Sequence, residues 1–112
     1  MKFISIKQAI KKGSGKVSVR GWVYRERGSN KMKFIVLRDS SDIIQCVIKR
    51  EDFEKQWGEI DGLKIESSVE LEGMIKEDKR APTGYEISVS KINIVHVAED
   101  YPINKDLNED LL

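Results

Sequence analysis

The chain has one cysteine, one histidine and two prolines among 112 residues, and no long apolar run. A lone cysteine can form no internal disulfide, so the expected compartment is the reducing cytoplasm. The lone histidine, His96, has no ligand spacing around it, which argues against a metal site and against a Ser-His-Asp set. A glycine-rich phosphate loop is also missing. No segment approaches the roughly 20 apolar residues that cross a bilayer as a helix, and polar residues interrupt MKFISIKQAIKKG too often for the core of a signal peptide. The expectation is a chain with no membrane role, no catalytic residues, no bound metal and no cofactor of its own. Its length suits one domain with a modest core and leaves no room for a separate catalytic domain.

What is present is charge: 35% of residues are charged, yet the net charge is only +1. The total hides a separation along the chain. Residues 1–50 hold 13 Lys and Arg against 3 Asp and Glu, and residues 51–112 hold 7 against 16. A basic half suits a polyanionic partner, because phosphate neutralisation supplies most non-specific nucleic-acid affinity. The plainer alternative is solvated charge with the two halves interleaved in space.

Pattern along the chain predicts the elements. Ser5-Ile6-Lys7-Gln8 has capping-box spacing, Ile4 is placed as a staple and Gly13 as a stop, so a short helix is expected over about residues 6–12. KVSVRGWVYRER, 16–27, alternates as a long first strand with a bulge or bend expected at Gly21. Strands at 33–39 and 43–49 flank the polar corner Asp39-Ser40-Ser41-Asp42. Phe53, Trp57 and Ile60 at i, i+4, i+7 predict a helix over 51–62 ending at Gly62. Ile65, Ser67, Val69, Leu71 and Ile75 alternate as a fourth strand, RAPTG breaks it, and Tyr85 to about Val97 forms a fifth. Three strands, a helix and two strands make an all-β chain with the order of a five-stranded OB-fold barrel, although a half-open sheet or an SH3-like barrel fits the same periodicity. Residues 1–98 are expected to form this domain and the acidic segment 99–112 a linker.

If residues 39–42 are the turn, pairing sets Arg38 opposite Ile43, Val36 opposite Gln45 and Phe34 opposite Val47. One face then collects Ile35, Leu37, Ile44, Cys46 and Ile48, a dry set suited to a core. The other carries Phe34, Val36, Arg38, Ile43, Gln45 and Val47. Aromatic, guanidinium and carboxamide groups on one face are those that stack on a base and read its edge.

GWVYRERGSNKMKFIVLRDSSDIIQCV, 21–47, resembles the anticodon-binding OB domain at the amino terminus of class II aspartyl- and asparaginyl-tRNA synthetases. ESSVELEGMIKEDKRAPTGYEISVSKINIVH, 66–96, and the tail YPINKDLNEDLL continue it. YRERG, FIVLRDSS, ESSVELEG and RAPTGYE look more like the archaeal-type asparaginyl enzymes, with the aspartyl enzymes second. The resemblance implies tRNA as partner, with the anticodon loop laid over the first three strands. It implies that Phe34 stacks on the middle base, a uracil, that Gln45 bonds the edge of that base, and that Arg27 contacts the anticodon, with Arg25 beside it in the basic stretch. Arg80 and Pro82, in the loop between the last two strands, would lie near the third base. ATP and magnesium would belong to a catalytic domain outside this chain, and the parent enzyme would be a homodimer, with the isolated domain a monomer.

Residue type alone leaves a second reading for each candidate. An exposed Phe34 would cover an oligomer interface equally well, Gln45 would simply face solvent, and Arg38-Asp39 would be an ion pair or an Asx-turn. Parity does not place Arg27, because a bend at Gly21 would shift its register. Trp22 and Trp57 read as core or rim packing and Cys46 as an inert core thiol. A general single-strand binder and a protein-interaction module remain alternatives to tRNA recognition; the former calls for several stacking aromatics along one groove, and Phe34 is the single good candidate in the sequence.

Overall fold

Ser5 starts the first element as its spacing dictates. In the computed structural model, which describes residues 2–98, its hydroxyl accepts from the Gln8 N–H at 3.1 Å and the Gln8 side chain accepts from the Ser5 N–H at 2.9 Å. This reciprocal cap opens α1 (Ile6–Lys12), and Gly13, at φ 73°, ends it. Ile6 and Ala9 are fully buried and carry the helix into the core. The expected linker at 99–112 lies outside the described residues.

Five strands follow: β1 (Gly15–Gly28), β2 (Met32–Arg38), β3 (Ile43–Lys49), β4 (Ser68–Glu77) and β5 (Tyr85–His96). They close into a barrel in the order β1-β2-β3-β5-β4, antiparallel throughout except for a short parallel pairing of β3 with β5. Closure gives every strand a partner on both sides, over three residues only at the β3–β5 seam. With a helix between the third and fourth strands this is an OB-fold barrel, and closure through β1 and β4 sets the half-open sheet aside. The interior is the alternating set the sequence marks out, with Val19, Val23, Ile35, Leu37, Ile44, Cys46, Ile48, Leu71, Ile75 and Ile87 almost wholly buried. Each such aliphatic side chain contributes about 1.5–3 kcal/mol of transfer free energy.

β1 is the strand that bends, because it pairs with β4 through Gly15–Trp22 and with β2 through Trp22–Gly28. Two devices allow this. Gly21 meets the backbone at the end of β2 so closely that a Cβ there would stand 2.1 Å from the Arg38 carbonyl oxygen. The register shift itself falls between Val23 and Arg25, with Tyr24 as the extra residue. The expected irregularity at Gly21 is therefore a close approach, and the bulge sits three residues later.

Three other expectations shift in detail. The predicted helix over 51–62 is regular only as α2 (Trp57–Asp61), preceded by a single 3-10 turn at Arg50–Asp52. Phe53, at φ −137° and ψ 37°, breaks the run, and Gly58 weakens the short helix it sits in; Phe53, Trp57 and Ile60 are nevertheless all buried, as their spacing requires. β4 begins at Ser68, since residues 64–67 form a turn in which Glu66 takes a positive φ of 76°. Val47, on the outer face of the hairpin, is 6% exposed and buried outside the main core. Lys33 is a surprise of the opposite kind, a cation on the interior parity. It is 3% exposed, with its Nζ 2.7 Å from Glu26 Oε1 and donating to the carbonyls of Asp61 (3.2 Å) and Leu63 (3.4 Å). It thereby ties the end of β2 to the end of α2.

At the other end of β2 the Asp39 corner does comparable work. Its carboxylate accepts from the Ile6 N–H (2.8 Å), the Ser41 N–H (2.7 Å), the Ser41 hydroxyl (2.6 Å) and the Asp42 N–H (3.1 Å). It is an Asx-turn that also caps α1. Partial burial by itself would raise the carboxyl, but the bonds from the Ser41 hydroxyl and the Ile6, Ser41 and Asp42 N–H groups outweigh it and hold the group below its ordinary value. A carboxyl depressed in the folded state adds stability that is complete above the unfolded pKa, 3.8, and disappears as pH falls through the folded one. Asp39→Ala should therefore cost about 1 kcal/mol or more in urea denaturation near neutral pH, and the deficit should shrink as the buffer is taken below about pH 4. An equal deficit at both ends of the range would mean that the charge is not what holds the corner.

Candidate nucleic-acid interface

The bulge at Tyr24 decides which way the basic stretch points. Val23 is interior; without the extra residue Arg25 and Arg27 would follow it inward by period two. With it, both share the outer face with β2 and β3. Register then lays the side chains in two rows across four strands. One row runs Arg25, Val36, Gln45, Glu86 and the other Arg27, Phe34, Val47, Ser88.

The β1 and β2 members of these rows, with Gln45, Glu26 and Ile65, wall a shallow cavity of about 250 Å³: Arg25, Arg27, Phe34 and Val36 face it from the two strands. The Arg27 guanidinium lies over the Phe34 ring, 4.4 Å from its centre. That stack gives a flat platform, apolar below and cationic above, on which a planar base can lie while a phosphate meets the charge. Gln45 is anchored: its Nε2 donates to Glu86 Oε1 at 2.9 Å, which leaves Oε1 and a second N–H for an incoming base edge. A carboxylate can only accept, so Glu86 fixes which end of the carboxamide it holds.

Four of the six sequence candidates, Arg25, Arg27, Phe34 and Gln45, therefore meet at one cavity. Arg80 and Pro82 do not line it. They lie in the 78–84 loop, which three backbone hydrogen bonds fold on itself, from Asp78 to Gly84, Ala81 to Asp78 and Gly84 to Ala81. The Arg80 side chain is 93% exposed and stands 3.6 Å from Asp78. β5 leaves this loop one residue before Glu86, so the loop emerges beside the Gln45 row, on the side away from the 29–31 turn that follows Arg27. By register the two loops emerge on opposite sides of the two rows.

Sequence reasoning missed Ile65, Glu86 and the exposure of Trp22. Ile65 reads as a strand residue but sits in the 64–67 turn, 52% exposed. Glu86 becomes visible only through the parallel pairing of β3 with β5. Trp57 is core, whereas Trp22 is 46% exposed on the outer face of β1, with Arg38 over its ring. Nothing in the described residues groups three metal-ligating side chains, and no helix there is long and apolar enough to cross a membrane. Cys46 is fully buried; burial chiefly, and the Glu86 carboxylate in addition, push its thiol far up. A thiol reagent at about pH 8 should leave the folded chain unlabelled over the minutes in which the urea-unfolded chain reacts fully. Rapid labelling of the folded chain would show the β3 strand opening or the thiol misplaced.

A closed five-stranded barrel with an aromatic, cationic and amide outer face defines an OB-fold domain of the nucleic-acid-binding class. The family model for the OB-fold nucleic acid binding domain of tRNA anticodon type matches residues 17–95, and the chain belongs to that family. It is 48% identical over 98 residues to asparagine-tRNA ligase of Thermoplasma acidophilum, a match covering 87% of this chain and 23% of the relative. The crystal structure of asparaginyl-tRNA synthetase from Pyrococcus horikoshii complexed with asparaginyl-adenylate superposes with a TM-score of 0.82 at 31% identity, over 93% of this chain and 24% of that one. Aspartyl-tRNA synthetase from Entamoeba histolytica gives 0.76 at 25% identity, over 92% of this chain and 23% of that one. The chain thus spans about a quarter of the length of these relatives.

Proposed function

We propose that this domain binds the anticodon loop of a tRNA, asparagine tRNA in preference to aspartate tRNA, on behalf of a longer aminoacyl-tRNA ligase whose ATP and magnesium chemistry lies in other residues. The observation that carries this reading is the Arg27–Phe34 stack beside an anchored Gln45 on the outer face of the barrel. The middle base, a uracil, lies on the Phe34 platform. The free Oε1 of Gln45 accepts from the uracil N3–H, a position where cytosine presents an acceptor instead. Arg25 and Arg27 meet the backbone or a base edge, and the 78–84 loop, with Arg80 and Pro82, stands by the third base. The preference for asparagine rests on the relatives.

Phe34→Ala should weaken binding of an anticodon stem-loop by about 1–3 kcal/mol with little change in thermal midpoint, since its ring stands outside the core. A large drop in stability with unchanged affinity would assign Phe34 to packing.

A sequence-blind single-strand binder is the second reading, favoured by the exposed Trp22 and Tyr24. Gln45→Ala separates the two. If Gln45 reads the base, the variant should bind stem-loops with uracil or cytosine at the middle position almost equally, whereas the parent chain should prefer uracil by about 1–3 kcal/mol. Equal binding by the parent chain at one fixed salt concentration would favour the sequence-blind reading.

A further inference from the structure

A second cavity is larger than the one at Phe34. It measures about 600 Å³ and lies further along the same strand, between Phe3 and Trp22, with Arg20, Ser5, Ser40 and Val95 among its walls. Each of its aromatic rings carries a guanidinium: Arg20 stands 4.9 Å from the centre of Phe3, and Arg38 stands 5.9 Å from that of Trp22. Between this cavity and Phe34 stands Tyr24, with Arg25 at 5.1 Å and Arg38 at 5.8 Å. Trp22 and Tyr24 are 46% and 40% exposed.

Arg20, Trp22, Tyr24 and Arg25 all belong to β1, with Phe3 and Arg38 against them. Trp22 pairs with Arg38, which shares its face of β2 with Val36 and Phe34, so the Trp22 cavity continues the outer face that carries the Arg27–Phe34 stack. Arg27 lies five positions beyond Trp22, one of them the bulged Tyr24, which places the two stations about 15 Å apart along the strand. The nearby acids are engaged. Glu66 pairs with Arg38 at 3.6 Å, Asp39 is taken up by its corner, and Glu70, opposite Arg20 on β4, accepts from Asn93.

We propose that the Phe3–Trp22 cavity is a second stacking station, which takes a single-stranded nucleotide flanking those held at Phe34 and Gln45. The proposal rests on the RNA-binding reading and extends it to a site outside the anticodon contacts. Two features select RNA as the occupant. Every exposed ring in the strip has an arginine against it, an arrangement that serves a base flanked by phosphates. The strip also runs on without a break from the first station. An apolar protein segment would have no use for the guanidinium over each ring.

The test compares oligouridylates of three and nine nucleotides, the first able to fill one station and the second long enough to reach both. Trp22→Ala should weaken the nine-nucleotide strand about tenfold and leave the three-nucleotide strand unchanged, and Trp22→Phe should restore most of the loss. Phe34→Ala should weaken both strands. Should Trp22→Ala have no effect on the longer strand while Phe34→Ala weakens it, the second station is overturned and the anticodon reading stands. Should only Trp22→Ala matter, the station is supported and the anticodon reading fails. A readout independent of Trp22 variants comes from Trp57→Phe, which leaves Trp22 as the single tryptophan. Its fluorescence should be quenched by the nine-nucleotide strand; unchanged emission at saturation would overturn the station and leave the exposed ring to a protein contact.

Discussion

A single strand, β1, has to serve two neighbours, and much else in this barrel depends on how it does so. Its first half pairs with β4 and its second with β2, which forces a sharp change of direction near Trp22. A side chain at position 21 would collide with the Arg38 carbonyl, so glycine lets the end of β2 approach. The bulge at Tyr24 then resets the inward and outward alternation. A structural requirement of closure thereby turns Arg25 and Arg27 toward the outer face, where they meet Phe34 and Gln45.

The ends of β2 are fixed by polar chemistry of opposite sign. At one end the Asp39 carboxylate gathers N–H groups from its own turn and from the start of α1. At the other the Lys33 ammonium gathers carbonyl groups from the end of α2 and the Glu26 carboxylate. Both helices are short, and neither would persist alone in water. They hold because buried Ile6, Ala9, Trp57 and Ile60 dock them to the barrel, while a β2-linked charge satisfies backbone groups that the helix ends leave open. The strand carrying Phe34 is thus pinned at both ends, and a stacking ring on a rigid strand loses little entropy when a base lies on it.

The register of the hairpin was legible in the sequence. Pairing, dry face and outer face all follow from the Asp39-to-Asp42 corner and strict alternation, and Phe34, Gln45 and Cys46 lie where that reasoning sends them. Arg27 could not be placed in this way, because one extra residue in β1 inverts parity and neither Val23, Tyr24 nor Arg25 announces a bulge. Lys33 was hidden for a related reason: its position on the interior face contradicts its charge, and its burial is tolerable because of the Glu26 carboxylate and the carbonyls at the end of α2, about 30 residues away in sequence.

Local chemistry was decided by the sequence alone: the cap at Ser5, the turn at Asp39, the alternation of β2 and β3, and the apolar stripe of Phe53, Trp57 and Ile60. Each depends on interactions within a few residues, which spacing encodes directly. Only the tertiary structure decided that β3 and β5 run side by side, bringing Glu86 to Gln45, and that Trp22 faces outward in line with Phe34. Those pairings join segments far apart in the chain. They are selected by closure of the barrel around a shared core, a condition on the whole fold that no short stretch of residues carries.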